Sequence, residues 1–251
     1  MKSNNSLKLS LIFLCLFTKP LTAVWADVEA YFLPQNLTAI NERLSKFVDA
    51  AKSELLVTSF YLTDQNFIDK LIELKKRGVD VQVIFDSNST KRSALIKQLT
   101  DAGIVPVVSF FRYLTSGIMH NKFLVCDKTI WTGSANFTAK AFRKGKNYEN
   151  VMTVTSAEIA QQYKANFLDI EKEIFQSYVD VLLGKRKKKV RRDVCEEIQS
   201  LACELYKTNK RFQTFLQDNP KMAQLLQPAP SPNSDQENNP MIEHTLTTVH
   251  A

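Results

Sequence analysis

His120 and Lys122 stand two apart in "MHNKFLVCDKTIWTGSANFT", Met119 to Thr138; Asp127 follows, and Gly133, Ser134 and Asn136 close the stretch. In an extended strand, side chains two apart share a face at about 7 Å, so one bound phosphate could touch both imidazole and ammonium. The ammonium would neutralise phosphate oxygens, and the imidazole can serve as nucleophile or proton donor near neutral pH. Asp127 is seven residues from His120. That odd offset turns it to the opposite face of a regular strand and predicts a supporting role, not direct proton transfer. Gly133 permits close backbone approach, while Ser134 and Asn136 share a face and offer short polar groups to an anionic substrate. A catalytic histidine also needs a group that orients its second ring nitrogen. Within reach of this segment the available carboxylate is Glu149, in "NYENVMTV".

Strand-like and helix-like segments alternate from Val28 to Ser177 and must position these groups. "VEAYFLP", "ELLVTSFYL", "VDVQVIFD" and "IVPVVSF" read as strands; "LTAINERLSKFVDAAK", "QNFIDKLIELKKRG" and "KRSALIKQLTDAG" read as helices, the last two closed by Gly78 and Gly103. "HNKFLVCD" and "TIWTGS" predict two strands joined by a tight turn at Asp127-Lys128, "ENVMTVT" another strand, and "AEIAQQYKANFLDIEKEIFQSY" a long helix. The class is α/β, a mixed β-sheet flanked by helices. Cys126 shares the His120 face by alternation and reads as a small buried apolar residue.

Residues 1–26 carry Lys2 and Lys8 ahead of an apolar stretch, Leu9 to Phe17, and end on Val24-Trp25-Ala26. This predicts a cleaved signal peptide and export to the periplasm or medium, since the stretch is shorter than the ~20 residues that span a bilayer. Removing it takes away three lysines and no acids, so the formal charge drops from +7 to +4. Residues 185–251 hold 11 basic and 8 acidic side chains, which leaves only +1 for a catalytic domain at 27–184. The basic pI of about 9.1 is therefore not evidence by itself for a nucleic-acid partner. After Gly184 comes "KRKKKVRR", Lys185 to Arg192, which could anchor a polyanion or an anionic membrane surface, or be a solvated linker. Val194, Ile198, Leu201 and Leu205 follow at helical spacing, so 185–226 reads as a basic run plus helical extension, and Pro220 ends or kinks whatever helix reaches it. Residues 227–251 have the composition of a disordered tail. Cys195 and Cys203 would lie ~12 Å apart on one helix, too far for a disulfide between them.

His120-Asn121-Lys122, then Asp127, then Gly133-Ser134-Ala135-Asn136 resembles the signature of the phospholipase D superfamily. "GIMHNK", "GSANFT" and "YENVMTV" together are similar to its short bacterial nuclease branch and to related mitochondrial members with one motif per chain. The resemblance covers most of Val28 to Ser177. Five residues separate Asp127 from Gly133, where the family usually has six, which implies a tighter turn. The resemblance implies catalytic roles for His120, Lys122, Asp127 and Glu149, with Glu149 beside His120, and phosphate binding by Lys122, Ser134 and Asn136. One histidine attacks phosphorus, a second protonates the leaving oxygen, and no metal or other cofactor is needed. His120 is the only histidine before the tail, where His244 and His250 lack a matching lysine. The implied second set comes from another copy of the chain, in a homodimer.

The expected activity is a metal-independent phosphodiesterase acting through a phosphohistidine, an exported endonuclease on DNA or RNA. The alternatives are a phospholipase D-type hydrolase of phosphatidyl or cardiolipin substrates, and a non-catalytic polyanion-binding protein. "SFFRYLTSG", Ser109 to Gly117, could stack on bases, dip into lipid or pack as core. Arg112, Arg143, Lys144 and Lys146 are candidates for the substrate rim, against a merely solvated loop.

Overall fold

The computed structural model describes residues 26–227 apart from 90–91, 116 and 187–188. The expected signal peptide and tail lie outside the described residues, except for Ala26 and Gln227. The elements are β1 (Asp27–Leu33), α1 (Leu37–Asp49), β2 (Glu54–Ser59), α2 (Gln65–Lys76), β3 (Asp80–Asp86), α3 (Arg92–Asp101), β4 (Val107–Ser109), α4 (Phe111–Leu114), β5 (Phe123–Cys126), β6 (Thr129–Gly133), α5 (Ala139–Phe142), β7 (Glu149–Thr155) and α6 (Ala157–Leu182). Three more helices follow: α7 (Arg192–Thr208), α8 (Lys210–Gln217) and α9 (Pro220–Leu226).

The seven strands form one sheet in the order β1-β7-β6-β5-β2-β3-β4. β2, β3 and β4 run parallel, and every other neighbouring pair is antiparallel. This is the mixed sheet with flanking helices that the periodicity predicts. The parallel strands are near-continuous apolar runs because both faces are covered. On one face Trp131 packs edge-on against Phe47 of α1, at 6.1 Å between rings. On the other, Phe123 meets Tyr163 of α6 at 5.0 Å, as strand alternation requires.

Strand polarity decides where chemistry can sit. The carboxyl ends of β2, β3, β4 and β6 and the amino ends of β5 and β7 all emerge at the same end of the sheet. Open α/β sheets place their ligand sites at such an end. The opposite end carries the β5–β6 hairpin, where Asp127 takes the left-handed conformation, φ 51°.

The C-terminal helices pack onto α6 and join the same core. Val194, Ile198, Leu201 and Leu205 of α7 are buried as their spacing predicts, and Phe212 of α8 lies 4.7 Å from Phe175. Cys195 and Cys203 both sit on the unbroken α7, and both are free, as is Cys126. Pro220 starts a helix rather than ending one, since a missing N–H costs nothing in the first turn. No helix among the described residues is long and apolar enough to cross a membrane.

Candidate active site

The strand expected from His120 begins only at Phe123. Thr58 Oγ1 accepts from the Phe123 N–H at 3.2 Å and donates to the Phe123 carbonyl at 3.3 Å, which closes the ladder there. Gly117 to Lys122 instead forms an irregular approach over the end of the sheet. Asn121 Nδ2 ties it to Asn166 Oδ1 of α6 at 3.2 Å. From beneath, the buried Asp86 accepts the Met119 N–H at 3.1 Å and the Asn88 N–H at 2.9 Å.

His120 is exposed, and Lys122 is 7% exposed. The lysine folds back so that Nζ donates to the His120 carbonyl at 2.6 Å and lies 5.6 Å from the Phe60 ring centre. The His120 ring rests against the same phenyl group, centroid to centroid 4.7 Å. Phe60 therefore forms a floor that spaces the imidazole and the ammonium. Burial holds the His120 pKa below its ordinary value, the Lys122 charge lowers it further, and Asp86 opposes both. Burial also lowers Lys122, partly offset by the negative charge of Glu149. Burial and the Lys122 charge thus both favour the uncharged imidazole, which stands beside the ammonium on the same phenyl floor.

Asn136 Oδ1 accepts from the Tyr61 N–H at 3.1 Å. That bond fixes which end of the amide is spent on the backbone and leaves the Nδ2 hydrogens to donate to an anionic oxygen. A cleft with a volume of about 400 Å³ is lined by His120, Lys122, Phe123, Gln162, Tyr163 and Asn166. A larger groove of about 860 Å³ runs among α7, α8 and α9, past Cys203, Tyr206 and Leu216, away from these groups. Among the described residues, no three His, Cys, Asp or Glu side chains cluster as a metal site would need.

Four expectations need correction. Glu149 does not bond to His120 within the chain: its oxygens accept from Ser134 Oγ at 2.6 Å and Asn147 Nδ2 at 2.9 Å. Ser134 is committed to the protein and not aimed at phosphate, because its hydroxyl donates to Glu149 and accepts the Asn150 N–H at 3.0 Å. Arg143 is drawn off the rim by Asp64, buried at the start of α2, with 3.3 Å between Nη2 and Oδ1. Asp127 occupies the hairpin at the far end of β5 and is not brought to the site. Lys144 and Lys146 are exposed on the loop before β7. Arg112 is exposed, and its Nη1 donates to Asn88 Oδ1 at 2.5 Å.

Gly133 is needed for close strand approach. A Cβ there would collide with the Asn150 carbonyl oxygen and lie 2.9 Å from Val151 Cα. Gly133→Ala is therefore expected to push β6 from β7 just where Ser134 holds Glu149. The cost should be about 1–3 kcal/mol, an overpacking magnitude, read from the urea midpoint of the purified variant. An unchanged midpoint would contradict the close approach.

With this geometry established, comparison with known proteins places the chain. Residues 44–170 match the family model described as "Cardiolipin synthase, PLD-like domain". The chain belongs to the phospholipase D superfamily. It is 32% identical over 123 residues to a phospholipase D of Rickettsia bellii, covering 48% of this chain and 58% of that protein. It is 33% identical over 138 residues to a mitochondrial cardiolipin hydrolase of Xenopus laevis, covering 54% and 62%. The chain thus spans about three-fifths of the length of these curated relatives. Among solved structures, the phospholipase D family member Nuc from Salmonella typhimurium superimposes with a TM-score of 0.50 at 27% identity, over 58% of this chain and 93% of that one.

Proposed function

We propose that the protein is a metal-independent phosphodiesterase that cleaves nucleic acid through a phosphohistidine, as a homodimer with a composite site. The observation that carries the reading is the exposed His120 imidazole, seated over Phe60 beside the buried Lys122 ammonium, once per chain. A ring nitrogen of the neutral His120 attacks phosphorus and displaces the leaving oxygen, which takes a proton from the second copy's imidazole, protonated at that stage. Water then attacks the phosphohistidine, gives its proton back to that second imidazole, and frees His120. Lys122 and the Asn136 amide stabilise the charge that develops on the phosphoryl oxygens.

The walls of the cleft support nucleic acid as the substrate. Asn121, Gln162 and Asn166 line it with amides that can bond a phosphodiester backbone or a base edge, and the Tyr163 ring adds aromatic surface beside them. A lipid headgroup is the second reading, favoured by curated relatives named phospholipase D and cardiolipin hydrolase. The basic and apolar character of residues 1–26 supports export.

The test incubates the protein in chelator with plasmid, single-stranded DNA, RNA and cardiolipin-containing vesicles. Nucleic-acid cleavage that survives chelation is expected. Headgroup or phosphatidate release with intact nucleic acid would transfer the assignment to the lipid reading. Tight binding without turnover of any substrate would leave a polyanion-binding protein.

A further inference from the structure

We propose that the C-terminal extension builds a phosphate-binding strip continuous with the active site, along which a nucleic-acid strand runs away from His120. This rests on the nucleic-acid reading above and adds a surface that lies beyond residues 44–170, the stretch matched by the family model.

The extension is fixed to the catalytic sheet. Arg92 of α3 makes a bidentate contact with Glu197 of α7, both bonds 2.6 Å, and Arg211 of α8 grips the buried Glu171 of α6 at 2.5 and 2.8 Å. Paired forks of this kind set orientation as well as distance. Arg186 and Arg191, between α6 and α7, therefore have a defined place, and that place is the loop leading to His120. Arg186 Nη1 donates to the Leu114 carbonyl at 2.8 Å, and the Arg191 guanidinium lies 5.6 Å from the Tyr113 ring centre. Leu114 precedes His120 by six residues, a chain length that spans roughly 20 Å at most. A polar relay closes the gap from beneath: Arg112 to Asn88, Asn88 to Asp86, Asp86 to the Met119 N–H.

Not every cation of the segment is available. Arg191 and Arg192 are neutralised by Asp193 and Glu196, at 2.6 and 2.7 Å, in the first turns of α7. Lys185 and Lys189 are exposed, and Arg112 spends its bond on a neutral amide oxygen and keeps its full charge. Tyr113, 37% exposed among these cations, offers a face on which a base can stack. Exposed cations interleaved with an aromatic ring suit a single strand. Insertion into a membrane would demand more than charge, because it needs a run of apolar side chains. Near the strip the exposed large apolar residues, among those described, are Tyr113 and Ile118.

The experiment compares the wild type with Lys185→Gln/Lys189→Gln on a 20-nucleotide single strand, a dinucleotide and bis(p-nitrophenyl) phosphate. Lys52→Gln/Lys128→Gln, at the far end of the sheet, removes the same charge as a control. The strip variant is expected to raise KM for the 20-mer about tenfold, while kcat/KM on the two short diesters and the control's 20-mer KM stay put. Its log–log salt slope for 20-mer binding should flatten by about 1.4, for two lost phosphate contacts on a single strand. Equal 20-mer KM and slope in variant and wild type would overturn the strip. So would a loss of affinity for anionic phosphatidylglycerol vesicles with unaltered 20-mer kinetics. Should the wild type hydrolyse bis(p-nitrophenyl) phosphate and no oligonucleotide of either length, the nucleic-acid reading itself fails, a pattern distinct from the other two.

Discussion

His120→Ala is expected to lower kcat by about 10⁴-fold or more, the scale of losing a nucleophile and its proton-transfer partner together. Its sharper consequence appears in mixtures. If one site draws an imidazole from each of two copies, a mixed pair is as dead as a pair of mutants. After subunit exchange in an equal mixture of wild type and His120→Ala, total activity should be about one quarter of the all-wild-type value at the same chain concentration, because only wild-type pairs work. A chain that carries a complete site alone would retain one half. The measurement is turnover against mole fraction, and a straight line in place of a parabola would remove the dimer from the mechanism. Exposure of His120 makes the variant a safe one to fold: the imidazole is surrounded by solvent on one side and replaced by a smaller group.

Much of the scaffold was legible because its signals are local. The apolar run of β3, the apolar stripe of α7, and the glycines at 78 and 103, which take φ of 87° and 79°, each follow from residues within a few positions of one another. What escaped depends on cross-strand register or on where a ladder stops. The odd offset of Asp127 put it on the opposite face of a strand, whereas its place in the hairpin at the far end of β5 is what separates it from His120. Ser134 looked free for phosphate because Asn150, sixteen positions on, pairs with it only across β6 and β7. Arg143 looked free for the same reason, its partner Asp64 being 79 positions back. Asp86 and Phe60 were not singled out, although both follow the apolar run of a parallel strand, the position from which such sheets present their ligands. A charged residue closing "VQVIF" was the available signal.

The charge of Lys122 has a consequence beyond phosphate binding, and Lys122→Met isolates it. Methionine keeps much of the buried stem's volume and removes the ammonium. Turnover should fall about 10²–10³-fold, the scale of losing one preorganised donor to a developing oxyanion. The residual activity then reports on His120. In the wild type the acid limb of kcat/KM should lie below the ordinary imidazole value of 6.5, because burial and then Lys122 both disfavour protonation. Without Lys122 the second of these disappears and protonation becomes easier. The His120 pKa rises, the neutral nucleophile is lost at higher pH, and the acid limb must shift upward. Burial still acts, so the shift is partial. Lys122→Arg separates charge from shape: the guanidinium keeps the positive charge near His120 and so keeps the limb low, yet its planar fork cannot fold back onto the His120 carbonyl as the ammonium does, so kcat stays depressed. An acid limb that fails to move in Lys122→Met, or moves downward, would mean that the two side chains do not sense each other and that the closeness seen over Phe60 is not the working arrangement.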